Sequence, residues 1–268
     1  MTDLPSGYTA IPSRLGVTAR FERERGLLLD LAPAPPVLRE GIVRASVLAY
    51  MIDAVAGITV DGDETTWTFT TDLSVRMRPR PAPTTVTAST TVLRQGKRSV
   101  TLSADLVDGE GSLVAAGAIG FARVPRHPTD PPKPIVKPET APDRFREWEP
   151  LTRPLREEAG VVAVDAAAGV AEMAVVPDVC NPAGTLQGAM VALLAEAAAE
   201  DLASDRAGEP MVVVDLDVRY LAQTGAGPVR ASCRLLGDEP TDPIEVALAD
   251  TSTGRLTTLV HARAAATS

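Results

Sequence analysis

Cysteine is nearly absent: Cys180 and Cys233 are the only two in 268 residues, and they form no CxxC pair. Nothing in that pattern suggests a disulfide framework or a zinc site. Histidine is as scarce, with two residues in the chain. Basic residues are outnumbered, 26 Lys and Arg against 35 Asp and Glu, which gives a net charge of −9 and a pI of about 4.9. That balance argues against nucleic acid or an anionic lipid surface as partner, although a local basic groove for an anionic ligand stays possible. No apolar run reaches the roughly 18–20 residues that a membrane span needs. The start, Met1-Thr-Asp-Leu-Pro5, has neither the basic nor the apolar region of a signal peptide. The expectation is a soluble cytoplasmic protein with no membrane partner. What remains is ordinary globular composition, 45% hydrophobic and 23% charged, at a length that suits one large or two modest domains.

One stretch organises the chain. Asn181-Pro-Ala-Gly-Thr-Leu-Gln-Gly188 is a polar, glycine-containing turn, and it feeds a helix that runs to about Ala203. Met190, Val191, Leu193, Leu194 and many alanines make this helix apolar nearly all round, with Glu196 a charge in its middle. A helix apolar on every side is a buried one, so something must surround it.

The other segments supply strands. Residues 1–14 read as a loose lead-in. Val17–Phe21 and Leu27–Leu31 form two strands about a turn at Gly26. A first helix spans Ile42 to Gly57 and carries Asp53. Trp67–Met77 is β-rich and largely alternating, and Thr84–Leu93, Ser99–Asp108 and Leu113–Val124 read as three more strands. Residues 125–150 hold eight of the 23 prolines and no periodicity, which predicts an extended, semi-rigid linker. After it the pattern returns: Val161–Asp165 and Val170–Val176, the organising helix, then Met211–Tyr220, Pro228–Leu236, Ile244–Asp250 and Arg255–Ala262 as four strands.

The return has a constant offset of 143 residues. It pairs Gly26 with Gly169, Gly41 with Gly184 and Asp53 with Glu196. It also pairs Asp72-Leu73-x-Val75-Arg76 with Asp215-Leu216-x-Val218-Arg219. Two copies make a fused pair and not a solenoid. Such a pair is expected to pack about a pseudo-twofold axis, as a homodimer would. The expected domains are residues 1–124, a linker at 125–150, and residues 151–268.

Asn181-x-x-Gly184-x-x-Gln187-Gly188, with an acid eight residues on at Glu196, resembles the hotdog-fold acyl-CoA thioesterases, in particular the phenylacetate-pathway and 4-hydroxybenzoyl-CoA enzymes. Asn181, Gly188 and Glu196 match the family's three slots, whereas Gln187 departs from its usual histidine. The first half keeps less: Leu38 for the amide, Arg44 and Ala45 at the next two slots, and Asp53 for the acid. The resemblance implies an α+β protein of two tandem hotdog units, each an antiparallel sheet wrapped round one long helix. It implies an acyl-CoA substrate, water as second substrate, no metal or redox cofactor, and homo-oligomers of the double unit.

A thioester carbonyl needs an oxyanion stabiliser, and a helix start offers free N–H groups and partial positive charge. The Gly188 N–H, helped by the amide of Asn181 or Gln187, fits that task. A carboxylate then serves as general base for water or attacks directly. At 1.5 Å per residue, Glu196 lies roughly 12 Å along its helix from Gly188, so the two cannot reach one thioester. The expected partner of Gly188 is therefore Asp53, across the pseudo-twofold. Ala45 with Glu196 would form a second, degraded site.

Plainer readings stand beside these. Asn181 also fits a turn or cap residue, Gly188 tight packing, Gln187 a helix-start hydrogen bonder, and Asp53 and Glu196 exposed helix acids. Arg76 and Arg219 fit solvated strand faces or CoA phosphates. Trp67 and Trp148 fit packing in core or linker. His127 and His261 lie outside the motif, which argues against a hydratase of the same fold. A non-catalytic acyl-CoA-binding protein is the main alternative to a thioesterase.

Overall fold

In a computed structural model, residues 10–127, 129, 133, 135–145, 149–181 and 184–267 are described. β1 (Val17–Glu22) and β2 (Gly26–Leu31) form a hairpin, and β3 (Leu38–Arg39) and β4 (Ile42–Val43) a two-residue ribbon. α1 (Ala45–Val60) follows, then β5 (Thr66–Met77), β6 (Val86–Gln95), β7 (Ser99–Asp108) and β8 (Leu113–Pro125). Beyond the proline-rich segment come a single helical turn, α2 (Leu155–Glu158), and the strands β9 (Val162–Asp165) and β10 (Val170–Met173). α3 (Gly188–Ala207) precedes β11 (Met211–Tyr220), β12 (Val229–Leu235), β13 (Ile244–Asp250) and β14 (Arg255–Ala266).

Twelve of these strands make one antiparallel sheet, in the order β1-β2-β6-β7-β8-β5-β11-β14-β13-β12-β10-β9. The order reads alike from either edge, each half ending at the centre with its post-helix strand. β5 and β11 meet there antiparallel, and the repeated Asp-Leu-x-Val-Arg stretches pair with each other. Asp72 stands opposite Arg219, Leu73 opposite Val218, Val75 opposite Leu216 and Arg76 opposite Asp215. The motif is thus self-complementary, with unlike charges at both ends and apolar partners between. Arg76 donates to the Leu216 carbonyl at 2.8 Å and pairs with Asp217 at 3.2 Å, while Arg219 pairs with Asp217 at 2.6 Å. Both arginines lie half-exposed on strand faces.

The sheet wraps the two long helices. α1 buries Val47, Leu48, Met51, Ile52 and Val55. α3 buries residues on all sides, including Met190, Leu193, Leu194 and the alanines between, as its all-round apolar character predicts. Gly208, with φ of 71°, ends it by sending its N–H back to Ser204. α1 starts three residues later than the sequence predicts, because Ile42 and Val43 bridge to Arg39 and Leu38 before the helix begins.

Two further expectations change. The lead-in is not loose where described: Ile11–Arg14 is a 3-10 turn with Ile11 and Pro12 buried. The proline-rich segment is not simply extended. Pro138–Asp143 forms a 3-10 helix whose Ala141 is fully buried. Lys133 is bonded to Asp61 at 2.5 Å and to the Asp63 and Thr66 carbonyls. Prolines leave local φ values compatible with such turns while erasing the periodicity that would announce them. Trp67 lies beneath the Arg126 guanidinium, and Trp148 lies outside the described residues. Among the described residues, no helix is long and apolar enough to cross a membrane.

Candidate active site

Gln187 is the N-cap of α3. Its backbone is extended, and its Oε1 accepts from the Ala189 N–H at 2.6 Å. Its carbonyl accepts from Met190 and Val191. The first N–H groups of a helix have no acceptor within it. Gln187 takes that of Ala189, and the N–H of Gly188 is left at the helix start. Tyr220, the last residue of β11, donates its hydroxyl to the Gly188 carbonyl at 3.1 Å. A Cβ at position 188 would lie 3.1 Å from that hydroxyl oxygen. The absence of a side chain at 188 thus admits the Tyr220 ring.

Asp53 comes to the same place from α1. A cavity of about 500 Å³ is lined by Asp53, Thr68 to Thr71, Asn181, Thr185 to Gly188, Val191, Tyr220 to Thr224 and Thr258. Thr70 donates to the Asp53 carboxylate at 2.8 Å. A bulge at Thr71 interrupts the pairing of β5 with β8, and a bulge at Val214 does the same between β11 and β14. Burial raises the Asp53 carboxyl above its ordinary value, and the Thr70 hydrogen bond opposes that rise. Burial, and then the nearby Asp53 charge, push the Tyr50 and Tyr220 hydroxyls up. They remain neutral donors.

Four of the five residues singled out by sequence line this cavity: Asp53, Asn181, Gln187 and Gly188. Asn181 lines it with its amide engaged. Its Nδ2 donates to the Thr185 hydroxyl at 2.8 Å and its Oδ1 accepts from the Thr185 N–H. This is the turn-residue reading. Glu196 is elsewhere. It is fully buried, accepts from the Ser46 hydroxyl at 2.5 Å and the Ser46 N–H at 3.4 Å, and pairs with Arg44 at 3.4 Å. Asp53 and Glu196 are thus not exposed helix acids. Neither histidine lines the cavity.

The pairing of Leu38 with Asn181 needs correction. The 3-10 turns ahead of the two helices, Pro35–Val37 and Pro177–Val179, start 177 − 35 = 142 residues apart. The bridge Leu38 to Val43 corresponds to Cys180 to Leu186. The second copy has one more residue in that loop, so Arg39 stands where Asn181 does. Thr70 and Tyr220 were not singled out by sequence. Their strand positions are legible, but their approach to Asp53 and Gly188 depends on strand register and curvature.

No protein-family model matches the chain, and no curated protein does. Solved structures do. A protein of unknown function with hotdog fold from Alicyclobacillus acidocaldarius has TM-score 0.60 at 12% identity, over 98% of this chain and 99% of that one. The tesB protein of Mycobacterium avium subspecies paratuberculosis has TM-score 0.58 at 12% identity, over 92% and 94%. An acyl-ACP thioesterase from Bacteroides thetaiotaomicron has TM-score 0.55 at 11% identity, over 89% and 97%. At such identities the likeness concerns the fold, and the fold of this chain is the hotdog fold. Of these three, the Bacteroides protein is named a thioesterase, at 11% identity, so the chemistry of this chain rests on its own cavity.

Proposed function

We propose that this protein is an acyl-CoA thioesterase. It consists of two hotdog units, residues 1–124 and 151–268, joined by residues 125–150 and packed about a pseudo-twofold axis. One observation carries the reading. An acid from the first long helix and the glycine that starts the second, far apart in sequence, line the same cavity. The names of similar structures lend support at the level of fold.

The thioester carbonyl oxygen points at the Gly188 N–H and the Nε2 of Gln187, whose Oε1 is fixed by Ala189. Asp53, held by Thr70, takes a proton from water, and the water oxygen attacks the carbonyl carbon. The tetrahedral intermediate collapses, the C–S bond breaks, and Asp53 returns its proton to the departing CoA thiolate. The products are a carboxylic acid and free CoA. Asn181 shapes the turn, and Glu196 lies outside this cavity. Coenzyme A enters as part of the substrate, and no metal or redox group takes part. The reading extends to a cytoplasmic protein that associates into homo-oligomers.

The test is a panel of acyl-CoAs assayed by thiol release, with Asp53→Asn and Glu196→Gln measured separately. CoA release that Asp53→Asn abolishes supports the proposal. Binding without release identifies an acyl-CoA-binding protein, and double-bond hydration without free thiol a hydratase. Equal losses in both variants would mean two working sites.

A further inference from the structure

Three charged side chains lie deep between the helices with a fourth at their rim, and the proposed chemistry uses none of them. Arg44 is 4% exposed, Glu196 0% and Glu200 1%. Arg44 lies 3.1 Å from Glu200 and 3.4 Å from Glu196. Arg39 approaches Glu200 at 3.9 Å from the rim. Taking such charges out of water is costly, so their location calls for a reason.

The internal repeat supplies one. The 143-residue offset places Arg44, Ala45 and Glu196 where Gln187, Gly188 and Asp53 stand. The slipped loop places Arg39 where Asn181 stands. Glu200 occupies the counterpart of Gly57. Two neutral amides have become two cations, and a second acid has appeared where the first copy has hydrogen. Two arginines and two glutamates make the group neutral in sum when both carboxyls are ionised. The helix starts also differ in their acceptors: Ala189 gives its N–H to Gln187, whereas its counterpart Ser46 gives both N–H and hydroxyl to Glu196.

We infer that these residues mark a second acyl-thioester site closed from within, with the Arg44 guanidinium as its stopper. The inference rests on the reading of the first site given above. Arg44 takes the ground on which a thioester would lie, Glu196 binds the helix start in place of an oxyanion, and Glu200 holds the stopper down. Each chain then binds and turns over one acyl thioester at a time, and the closed site is recoverable by restoring the residues of the open copy.

The experiment uses the full chain and the alkyl-CoA thioether of the best substrate, titrated calorimetrically. The wild type binds one equivalent per chain, and Asp53→Asn lowers turnover at least 100-fold. The triple variant Arg39→Asn, Arg44→Gln, Glu200→Gly binds two equivalents. Two equivalents on the wild type would overturn the inference, as would about half the activity surviving in Asp53→Asn. A triple variant with native circular dichroism that still binds one would also overturn it. If the triple variant does not fold, the wild-type stoichiometry and the Asp53→Asn loss decide alone. Failure of the first-site reading looks different: no thioether binds, or Asp53→Asn has no effect.

Discussion

Thr70→Val separates the Asp53 carboxylate from its hydrogen-bond donor with almost no change of shape. Thr70 donates to Asp53 at 2.8 Å, and this bond opposes the upward push of burial on the carboxyl. Hydrogen bonds to charged groups are worth about 1.5–3 kcal/mol, and ~1.36 kcal/mol corresponds to one pKa unit. Taking the low end, about 1.5 kcal/mol, the loss of the Thr70 bond is expected to push the Asp53 carboxyl further up. A general base works only when deprotonated. The acidic limb of kcat/KM against pH, followed by thiol release, should therefore move to higher pH. Carbon-13 titration of the Asp53 carboxyl reads the same shift without substrate. Stability carries a matching sign. A carboxyl whose folded pKa lies above its unfolded one binds more protons in the folded state, so stability falls as pH rises through that interval. Thr70→Val should thus lose more against wild type at pH 8 than at pH 4. An acidic limb that stays in place or moves down would refute the orientation of Asp53 by Thr70.

Asp53→Asn should cut kcat by about 10²–10⁴-fold while leaving the melting temperature at pH 8 unchanged or higher, since it removes a desolvated charge; steady-state kinetics and calorimetry check this. Glu200 is raised to about 7 by burial against a usual 4.5. Its contribution to stability is present below about pH 4.5, falls as pH rises, and levels off above about 7, an overall loss of about 3 kcal/mol. Glu200→Gln should therefore gain on wild type from about pH 5 to about 7 in urea unfolding and hold that gain at about pH 8. At Gly117 a Cβ would lie 2.3 Å from the Ser74 carbonyl oxygen and 2.6 Å from the Ile52 side chain. Gly117→Ala should cost about 1–3 kcal/mol, read as a lower urea midpoint with an unchanged slope.

Much of the architecture was legible in one dimension. Strands β7, β11 and β13 run over the residues read as strands in the sequence, because strand formers bounded by turn residues mark such segments locally. The all-round apolar character of Met190 to Ala203 demanded an enclosure, and the sheet supplies it. The Asp-Leu-x-Val-Arg repeat was visible as a repeat, but its use as the seam between β5 and β11 was not. Periodicity records which side of an element is buried and nothing about which distant element covers it. The single-residue slip before the helices was invisible for a related reason: a loop leaves no period, and only the bridges at Leu38 and Cys180 reveal the true counterpart.

By itself, then, the order of residues determined the elements, the duplication and the helix start at Gln187–Gly188, all properties of neighbours along the chain. Tertiary structure decided which acid shares a cavity with that helix start, what stands against position 188, and which partners hold the other acid. Asp53 and Glu196 occupy matching slots on similar helices. One faces a cavity beside Thr70, and the other is bound by Arg44 and Ser46. Distances across a core are set by sheet curvature and helix packing, and those quantities exist only once the chain has closed on itself.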